Sequence, residues 1–322
     1  MRWLIIIVLG LAGAVAPASA GPADASDKLG VVVSILPQAY FVERIGGERV
    51  SVEVLVGENQ NPHLYQATPR QMVRVGQATM YFTIGVEFER AVVPRIRKTF
   101  PKLKLIDTQA GVPLRRSECS HEHDHDHHNC GHGHHGHDHD HDRKHGKPPQ
   151  ADSPPAVSEN PDPHIWLSPK LVKIQAKTIC DALCEADPGH ADEYRRNLAA
   201  FHADLDRAHD EIAKSLAPLV GQKVYVYHPA FGYFLDEFGL KQVPVEIEGK
   251  RPGPKQLVRL VNQAEKDGVR VIFVQAQFSQ NSAAMVAEAI GGVVVAIDPL
   301  ARDYLENLKR IAAAVREGLK KR

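Results

Sequence analysis

The sequence predicts an α/β protein of two lobes, each with a mainly parallel sheet flanked by helices, joined by one long rigid helix. Short apolar segments alternate with amphipathic ones in both halves of the chain, as in parallel sheets covered on both faces. Between the halves, one apolar stripe continues at helical spacing over about six to eight turns. The length of 322 residues allows two domains, each with its own core.

The N-terminus has the pattern of a secretory signal. Arg2 precedes an apolar run from Trp3 to Ala16, and Ala18-Ser19-Ala20 supplies small residues before a cleavage point. This run is shorter than the roughly 20 residues of a membrane-spanning helix, so we expect residues 1–20 to be a cleaved signal peptide. An uncleaved membrane anchor is the alternative. The residue directly after the cleavage point is not a cysteine, which disfavours a lipoprotein. We therefore expect a periplasmic protein.

Residues 29–186 are expected to form the N-terminal lobe. Proline and glycine mark the ends of its segments, with Thr68-Pro69 and Ser168-Pro169 opening two of its helices. The predicted strands are Val31–Ile35, Val50–Val56, Met80–Ile84 and Leu103–Ile106, and the predicted helices are 39–46, Thr68–Val75, Phe88–Lys98 and Ser168–Ala186.

Residues 115–163 interrupt this lobe with a stretch rich in His, Asp and Gly and then in Pro. Of the 18 histidines in the chain, 12 lie between His121 and His145. With almost no apolar residue, the stretch cannot bury a core, and we predict a disordered loop.

Residues 187–218 are expected to form the connecting helix, and residues 221–322 the C-terminal lobe. Asp187-Pro188 opens the long helix, whose stripe runs from Tyr194 to Leu216. The alternation then resumes, with predicted strands at Lys223–Tyr227, Gln242–Val245, Val269–Val274 and Val293–Ile297, and predicted helices at Phe231–Phe238, Pro254–Lys266, Ser282–Ile290 and Arg302–Leu319.

Charge and motifs exclude several classes of function. The chain has 39 basic and 39 acidic residues, so bulk charge would not recruit a nucleic acid. The sequence contains no GxSxG or GxxxxGK[ST] motif, and its HExxH match, His121–His125, falls within the histidine-rich stretch, so we expect no enzymatic activity. Secretion permits disulfides, but the sequence leaves their pairing open among the four cysteines, Cys119, Cys130, Cys180 and Cys184.

Three histidines outside the histidine-rich stretch stand next to proline in loops, namely His63, His164 and His228. His228 follows a predicted strand, and Asp298 follows another in the same way. Ligands of open α/β sheets bind at the carboxyl ends of strands. We therefore expect these four residues to meet in one cleft between the lobes. His190, His202 and His209 fall on the connecting helix and are interpreted as ordinary surface or packing residues.

Four segments resemble the ligand motifs of the ZnuA-like (cluster 9) metal-binding proteins of ABC transporters. They are Asn61–Tyr65, Asp162–Pro169, His228–Phe234 and Ile297–Leu300, of which DPHIWLSP is the most specific. The resemblance extends from Val31 to the C-terminus. It implies two lobes joined by a backbone helix, with one metal ligand from each motif. Carried over residue by residue, these are His63, His164, His228 and Asp298.

The resemblance also implies a high-affinity zinc receptor that delivers Zn²⁺ to a membrane permease, and we expect it to act as a monomer. Three imidazoles and one carboxylate suit tetrahedral zinc better than manganese. Some zinc-specific members place a glutamate before the first ligand histidine, where this chain has Pro62. The alternatives are a periplasmic zinc buffer or metallochaperone, a receptor for manganese or iron, and a zinc-dependent hydrolase, which would need an open coordination position.

The histidine-rich stretch is expected to offer weak secondary zinc sites that collect metal and pass it to the cleft. Binding there requires neutral imidazole and should weaken as pH falls through about 6.5. A solvated spacer with incidental metal binding is the alternative. The candidate secondary ligands are His121, His123, His125, His127, His128, His132, His134, His135, His137, His139 and His141.

Overall fold

The computed structural model describes residues 28–115, 161–246 and 252–320. The expected signal peptide, the histidine-rich stretch with its secondary ligands, Cys119 and Cys130 lie outside these residues. In the described part of the chain, no helix has both the length and the apolar character needed to cross a membrane.

The first lobe is a four-stranded parallel sheet with helices packed against it. Its strand order is β2-β1-β3-β4. The chain adds β2 on one side of β1 and then β3 and β4 on the other side, so the strand order switches next to β1. Its strands are β1 (Leu29–Ile35), β2 (Val50–Val56), β3 (Met80–Thr83) and β4 (Lys104–Asp107), and its helices are α1 (Leu36–Gly46), α2 (Pro69–Gln77), α3 (Glu89–Thr99) and α4 (Pro169–Ala186).

The second lobe repeats this arrangement, with parallel strands in the order β6-β5-β7-β8. Its strands are β5 (Lys223–Val226), β6 (Lys241–Pro244), β7 (Val271–Gln275) and β8 (Val293–Ile297), and its helices are α6 (Gly232–Glu237), α7 (Pro254–Lys266), α8 (Gln280–Ala289) and α9 (Tyr304–Leu319). The predicted fold class of two parallel α/β lobes is therefore confirmed.

The long helix between the lobes is α5 (Ala191–Leu216), of 26 residues. Its α-helical part begins four residues after the predicted start at residue 187, because Pro188–His190 form a separate 3-10 turn. Asp187 stabilises this turn by accepting hydrogen bonds from the His190 ring and the Tyr194 hydroxyl. Helix α5 packs against α1 and α4 of the first lobe and α9 of the second, and so spans the junction.

Local sequence explains how α4 begins immediately after a candidate ligand. Ser168 caps the helix by accepting a hydrogen bond from the Leu171 amide, and Pro169 occupies the first helical position. Such a cap typically stabilises a helix by about 1 kcal/mol. Trp166, in the turn just before the cap, is buried, and its indole Nε1 donates to the Pro299 carbonyl of the second lobe over 2.8 Å. The two lobes are thus joined beside the segment that carries His164.

Candidate metal centre

Three histidines from distant parts of the sequence meet at the boundary of the two lobes. One ring nitrogen from each of His63, His164 and His228 lies within 4.8 Å of the other two. His63 and His164 belong to the first lobe, and His228 to the second. They share a cavity with Trp166 and Phe278, among other residues. Because the cluster contains residues of both lobes, a change in the angle between the lobes would change the distances between its nitrogens.

The two histidines of the first lobe are held by the same local turn. In Asn61-Pro62-His63, the asparagine Oδ1 accepts the His63 backbone N–H over 2.9 Å. In Asp162-Pro163-His164, the aspartate Oδ1 accepts the His164 backbone N–H over 3.0 Å. These contacts from a side chain to the amide two residues on are Asx turns, in which the side chain stands in for a backbone turn. The Asx-Pro-His sequence thereby places both rings.

His228 is positioned by the sheet of the second lobe. It lies two residues after β5, which ends at Val226. The side chain of Gln275, at the end of β7, donates to the His228 carbonyl over 2.6 Å and accepts from the His228 amide over 3.3 Å. The Phe278 ring stacks on the imidazole, with centroids 4.5 Å apart and planes 19° apart. Backbone and ring are therefore both fixed.

Each of the three imidazoles has its Nδ1 next to a carboxylate of its own lobe. The Nδ1 of His63 lies 3.0 Å from Glu87, and that of His164 lies 2.7 Å from Asp162. The Nδ1 of His228 lies 2.5 Å from Glu246. Because a carboxylate accepts hydrogen bonds, it selects the tautomer with the proton on Nδ1. This arrangement is the usual support of a metal-binding histidine.

The assigned tautomers leave Nε2 unprotonated on each ring. The Nε2 atoms of His63 and His228 nevertheless lie only 3.1 Å apart. Two lone pairs at this distance repel each other unless a proton or a cation lies between them. Two nitrogens bound to one tetrahedral zinc at about 2.0–2.1 Å would lie about 3.3 Å apart. The separation of this pair therefore matches that of two nitrogens bound to one divalent metal.

Burial keeps the imidazoles of His63 and His228 in the neutral form that metal binding requires. It lowers the pKa of His63, and the neighbouring His228 lowers this pKa further. It also lowers the pKa of His228, although the hydrogen bond to Glu246 acts in the opposite direction. Lone pairs on these rings therefore remain available below the usual imidazole range near 6.5.

Arg115 stabilises the ionised form of the carboxylate that supports His164. Its Nη1 donates to Asp162 over 3.2 Å, and its Nη2 lies 3.2 Å from Asp236 of the second lobe. Burial acts to raise the pKa of Asp162, but His164 and then Arg115 lower it overall. The guanidinium lies over Gly232, where a Cβ would clash with it at 1.3 Å. This contact explains the glycine.

Asp298, the fourth predicted ligand, directly follows β8 but is not part of the histidine cluster. Its carboxylate lies outside the group of atoms within 4.8 Å of one another. It lines an adjoining cavity of about 560 Å³ instead. Gln277 and Leu300 line both cavities, so the cavity that Asp298 lines adjoins the cavity of the imidazoles. Its ligand role stays a prediction.

The three histidines that were not assigned to the site have local partners. His190 bonds to Asp187, and His202 bonds to the Lys173 carbonyl. His209 lies 3.2 Å from Asp210 and 3.4 Å from Glu237. Sequence reasoning missed the supporting carboxylates Glu87 and Glu246, although Glu246 follows a predicted strand as His228 does.

A two-lobed α/β fold with an imidazole cluster between the lobes defines a metal-binding receptor. The family model described as "Zinc-uptake complex component A periplasmic" matches residues 31–318. The chain belongs to this family, whose members are transport receptors for zinc uptake and not enzymes.

Relatives and solved structures agree with this assignment. The high-affinity zinc uptake system protein ZnuA of Bacillus subtilis is 28% identical over 316 residues, which cover 93% of this chain and 90% of that protein. A crystal structure of ZnuA is 35% identical and superposes with a TM-score of 0.76, covering 91% of this chain and 99% of that one. A zinc-bound ZnuA deletion mutant, 34% identical, also superposes with a TM-score of 0.76, covering 91% of this chain and 98% of that one.

Proposed function

We propose that this protein is a high-affinity extracytoplasmic zinc receptor that delivers Zn²⁺ to an ABC-type importer. The observation that carries the proposal is the 3.1 Å separation of two Nε2 atoms whose rings have carboxylates at Nδ1. A cation bound between the lobes would be coordinated by both Nε2 lone pairs and would remove their repulsion. The family and its zinc-uptake relatives support the same conclusion.

The donor set favours zinc over manganese. His63, His164 and His228 supply three neutral nitrogens, and Asp298 is the proposed oxygen donor. Such a borderline-soft N₃O set suits tetrahedral zinc, whereas manganese prefers more oxygen ligands. The zinc-bound relative supports this choice. For Asp298 to complete the set, its carboxylate has to approach the imidazoles when metal binds.

The charges around the cluster also favour a dication. Glu87, Asp162 and Glu246 each lie against a ligand imidazole, and Arg115 offsets one of them. Ionised carboxylates next to the rings make the imidazoles better donors and attract Zn²⁺. A monovalent cation would gain less from the same field.

Delivery requires a docked permease and a change that weakens the site. Two ligands belong to each lobe, so a small rocking of the lobes about α5 would pull the pairs apart and release the metal. We propose that the protein acts as a monomer in the periplasm, after cleavage of residues 1–20. Residues 121–145 would collect zinc when it is scarce and pass it to the cleft.

Competition titration against chelators would test the receptor function. We expect one tight Zn²⁺ per chain, several weaker ones that disappear with residues 121–145, and much weaker binding of Mn²⁺ at the tight site. Only weak sites would indicate a zinc buffer, and preference for Mn²⁺ would indicate another cargo.

Uptake in cells would test the delivery step. A strain that lacks the gene should regain growth and zinc uptake under chelation when it produces the wild-type chain, but not when it produces His228→Ala. The variant without residues 121–145 should restore them only in part. Full growth without the gene under chelation would exclude an importing role, and full rescue by the deletion variant would exclude the capture role.

A further inference from the structure

Gln277 follows β7 and contacts the carboxylate of Asp298. Its amide Nε2 donates to the Asp298 Oδ1 over 2.9 Å. The Leu300 amide donates to the same oxygen, also over 2.9 Å. Both hydrogen bonds that the described residues donate to this carboxylate therefore fall on Oδ1, and Oδ2 is left for another partner.

The surroundings of Gln277 give its side chain a defined orientation. Gln277 lines the cavity of the three imidazoles and the adjoining cavity that Asp298 lines. Its Oε1 is buried and has no hydrogen-bond partner among the described residues. A buried acceptor without a partner is destabilising, and such atoms are rare in folded proteins. The hydrogen bond from Nε2 to Asp298 is thus the interaction that fixes the orientation of the Gln277 amide.

Gln277 completes a pattern that the three histidines already follow. Each imidazole is held by an acceptor, because its Nδ1–H is a donor. A carboxylate ligand needs the opposite, a donor on the oxygen that does not bind metal. Gln277 provides this donor from the same lobe as Asp298, just as Glu246 supports His228 from its own lobe.

We propose that Gln277 is a positioning residue that holds Asp298 by Oδ1 and so presents Oδ2 as the fourth zinc ligand. The proposal rests on the proposed function, because it assumes that zinc binds at the histidine cluster. Each lobe then carries two ligands together with their supports, His63 and His164 in the first and His228 and Asp298 in the second.

A double-mutant cycle on zinc affinity tests this role. The starting protein is the chain without residues 121–145, and the variants are Gln277→Met, Asp298→Ala and their combination. Methionine has a similar length to glutamine but donates no hydrogen bond. We expect Gln277→Met to weaken zinc binding by about 10–100-fold, the usual effect of removing a ligand's support. In the Asp298→Ala background, the same change should have no further effect.

Gln280→Met is the matched control, because Gln280 lies three residues further on and its side chain donates to the Gln275 carbonyl, not to Asp298. It should bind zinc as the starting protein does. Melting temperatures of the metal-free variants check that each is folded. Equal affinities of Gln277→Met and Gln280→Met would overturn the proposal, as would a full effect of Gln277→Met without Asp298.

The outcome for the positioning role is separable from that for the receptor itself. His228→Ala in the same titration reports whether the cluster binds zinc at all. If His228→Ala abolishes tight binding while Gln277→Met leaves it unchanged, the zinc site stands and only the positioning role fails. If the starting protein has no tight site, the receptor function fails as well.

Discussion

The two lobes share one strand order but place their candidate metal-binding side chains differently. In the second lobe, His228 lies two residues after β5, and Asp298 lies one residue after β8. In the first lobe, His63 lies seven residues after β2, and His164 lies in the segment leading into α4. Strand ends fix the ligands of one lobe, and Asx turns fix those of the other.

The supports of the two lobes also differ in exposure. The Glu246 side chain that holds His228 is 2% exposed, whereas the Glu87 side chain that holds His63 is 62% exposed. Water competes strongly for an exposed carboxylate and screens its charge, and it does neither for a buried one. His63 is therefore held by a more exposed support than His228, and it is the candidate ligand with the most freedom to adjust.

The largest expected effects come from removing a ligand of either lobe. We predict that His164→Ala or His228→Ala weakens zinc binding by more than the ~100-fold typical of losing a support, with the fold retained. Isothermal calorimetry with chelator competition would measure this. His202→Ala, on α5, serves as the control and should bind normally. Similar behaviour of His202→Ala and His228→Ala would refute the site.

Removing the buried support should have the next largest effect. Glu246→Leu takes away the acceptor for His228 Nδ1 and frees the ring to rotate or change tautomer. We predict a loss of zinc affinity of about 10–100-fold. Glu246→Gln, which keeps an acceptor but not the charge, should lose less. Indistinguishable affinities of the leucine variant and the wild type would show that the sheet and Phe278 alone hold the ring.

The exposed support should matter less, which is the sharpest test of the difference between the lobes. We predict that Glu87→Leu costs less than about 10-fold in affinity, the lower limit for a supporting residue. Its effect should also shrink as salt rises, because an exposed charge is screened. Titrations at low and high ionic strength would measure both. A larger loss for Glu87→Leu than for Glu246→Leu would reverse the comparison.

The smallest effect we expect is a difference in pH dependence between the cleft and the histidine-rich stretch. Burial lowers the pKa of His63 and His228, so both stay neutral when solvated imidazoles, with a pKa near 6.5, begin to take up protons. Between about pH 7 and 6, tight binding should weaken less than the additional binding that residues 121–145 provide. Zinc titrations of both chains across this range would reveal it, and parallel losses would contradict the assignment.

Much of the fold could be predicted from the sequence, because the ends of the apolar runs, which the sequence shows, coincide with the ends of the strands. Strands Val50–Val56 and Val293–Ile297 have the predicted bounds. The start of α5 could not be predicted, since it depends on how Asp187 bonds to His190 and Tyr194.

The candidate site was predictable only in part, because some of its contacts, like those at the start of α5, form only in the folded chain. The three histidines stand in Pro-containing loops, a local signal that the sequence displays. Two of their supports are not local: Glu87 is 24 residues from His63, and Glu246 is 18 residues from His228, whereas Asp162 lies only two residues before His164. Which carboxylate reaches which ring depends on strand order and on the loops that follow, and neither the spacing nor the composition encodes it.

The central claim is that nitrogens from both lobes bind one zinc ion, and X-ray absorption at the zinc edge tests it most directly. The sample is the chain without residues 121–145, loaded with one equivalent of Zn²⁺. We predict three imidazole nitrogens and one oxygen at about 2.0–2.2 Å. Fewer than three imidazoles, or sulfur at about 2.3 Å, would contradict it.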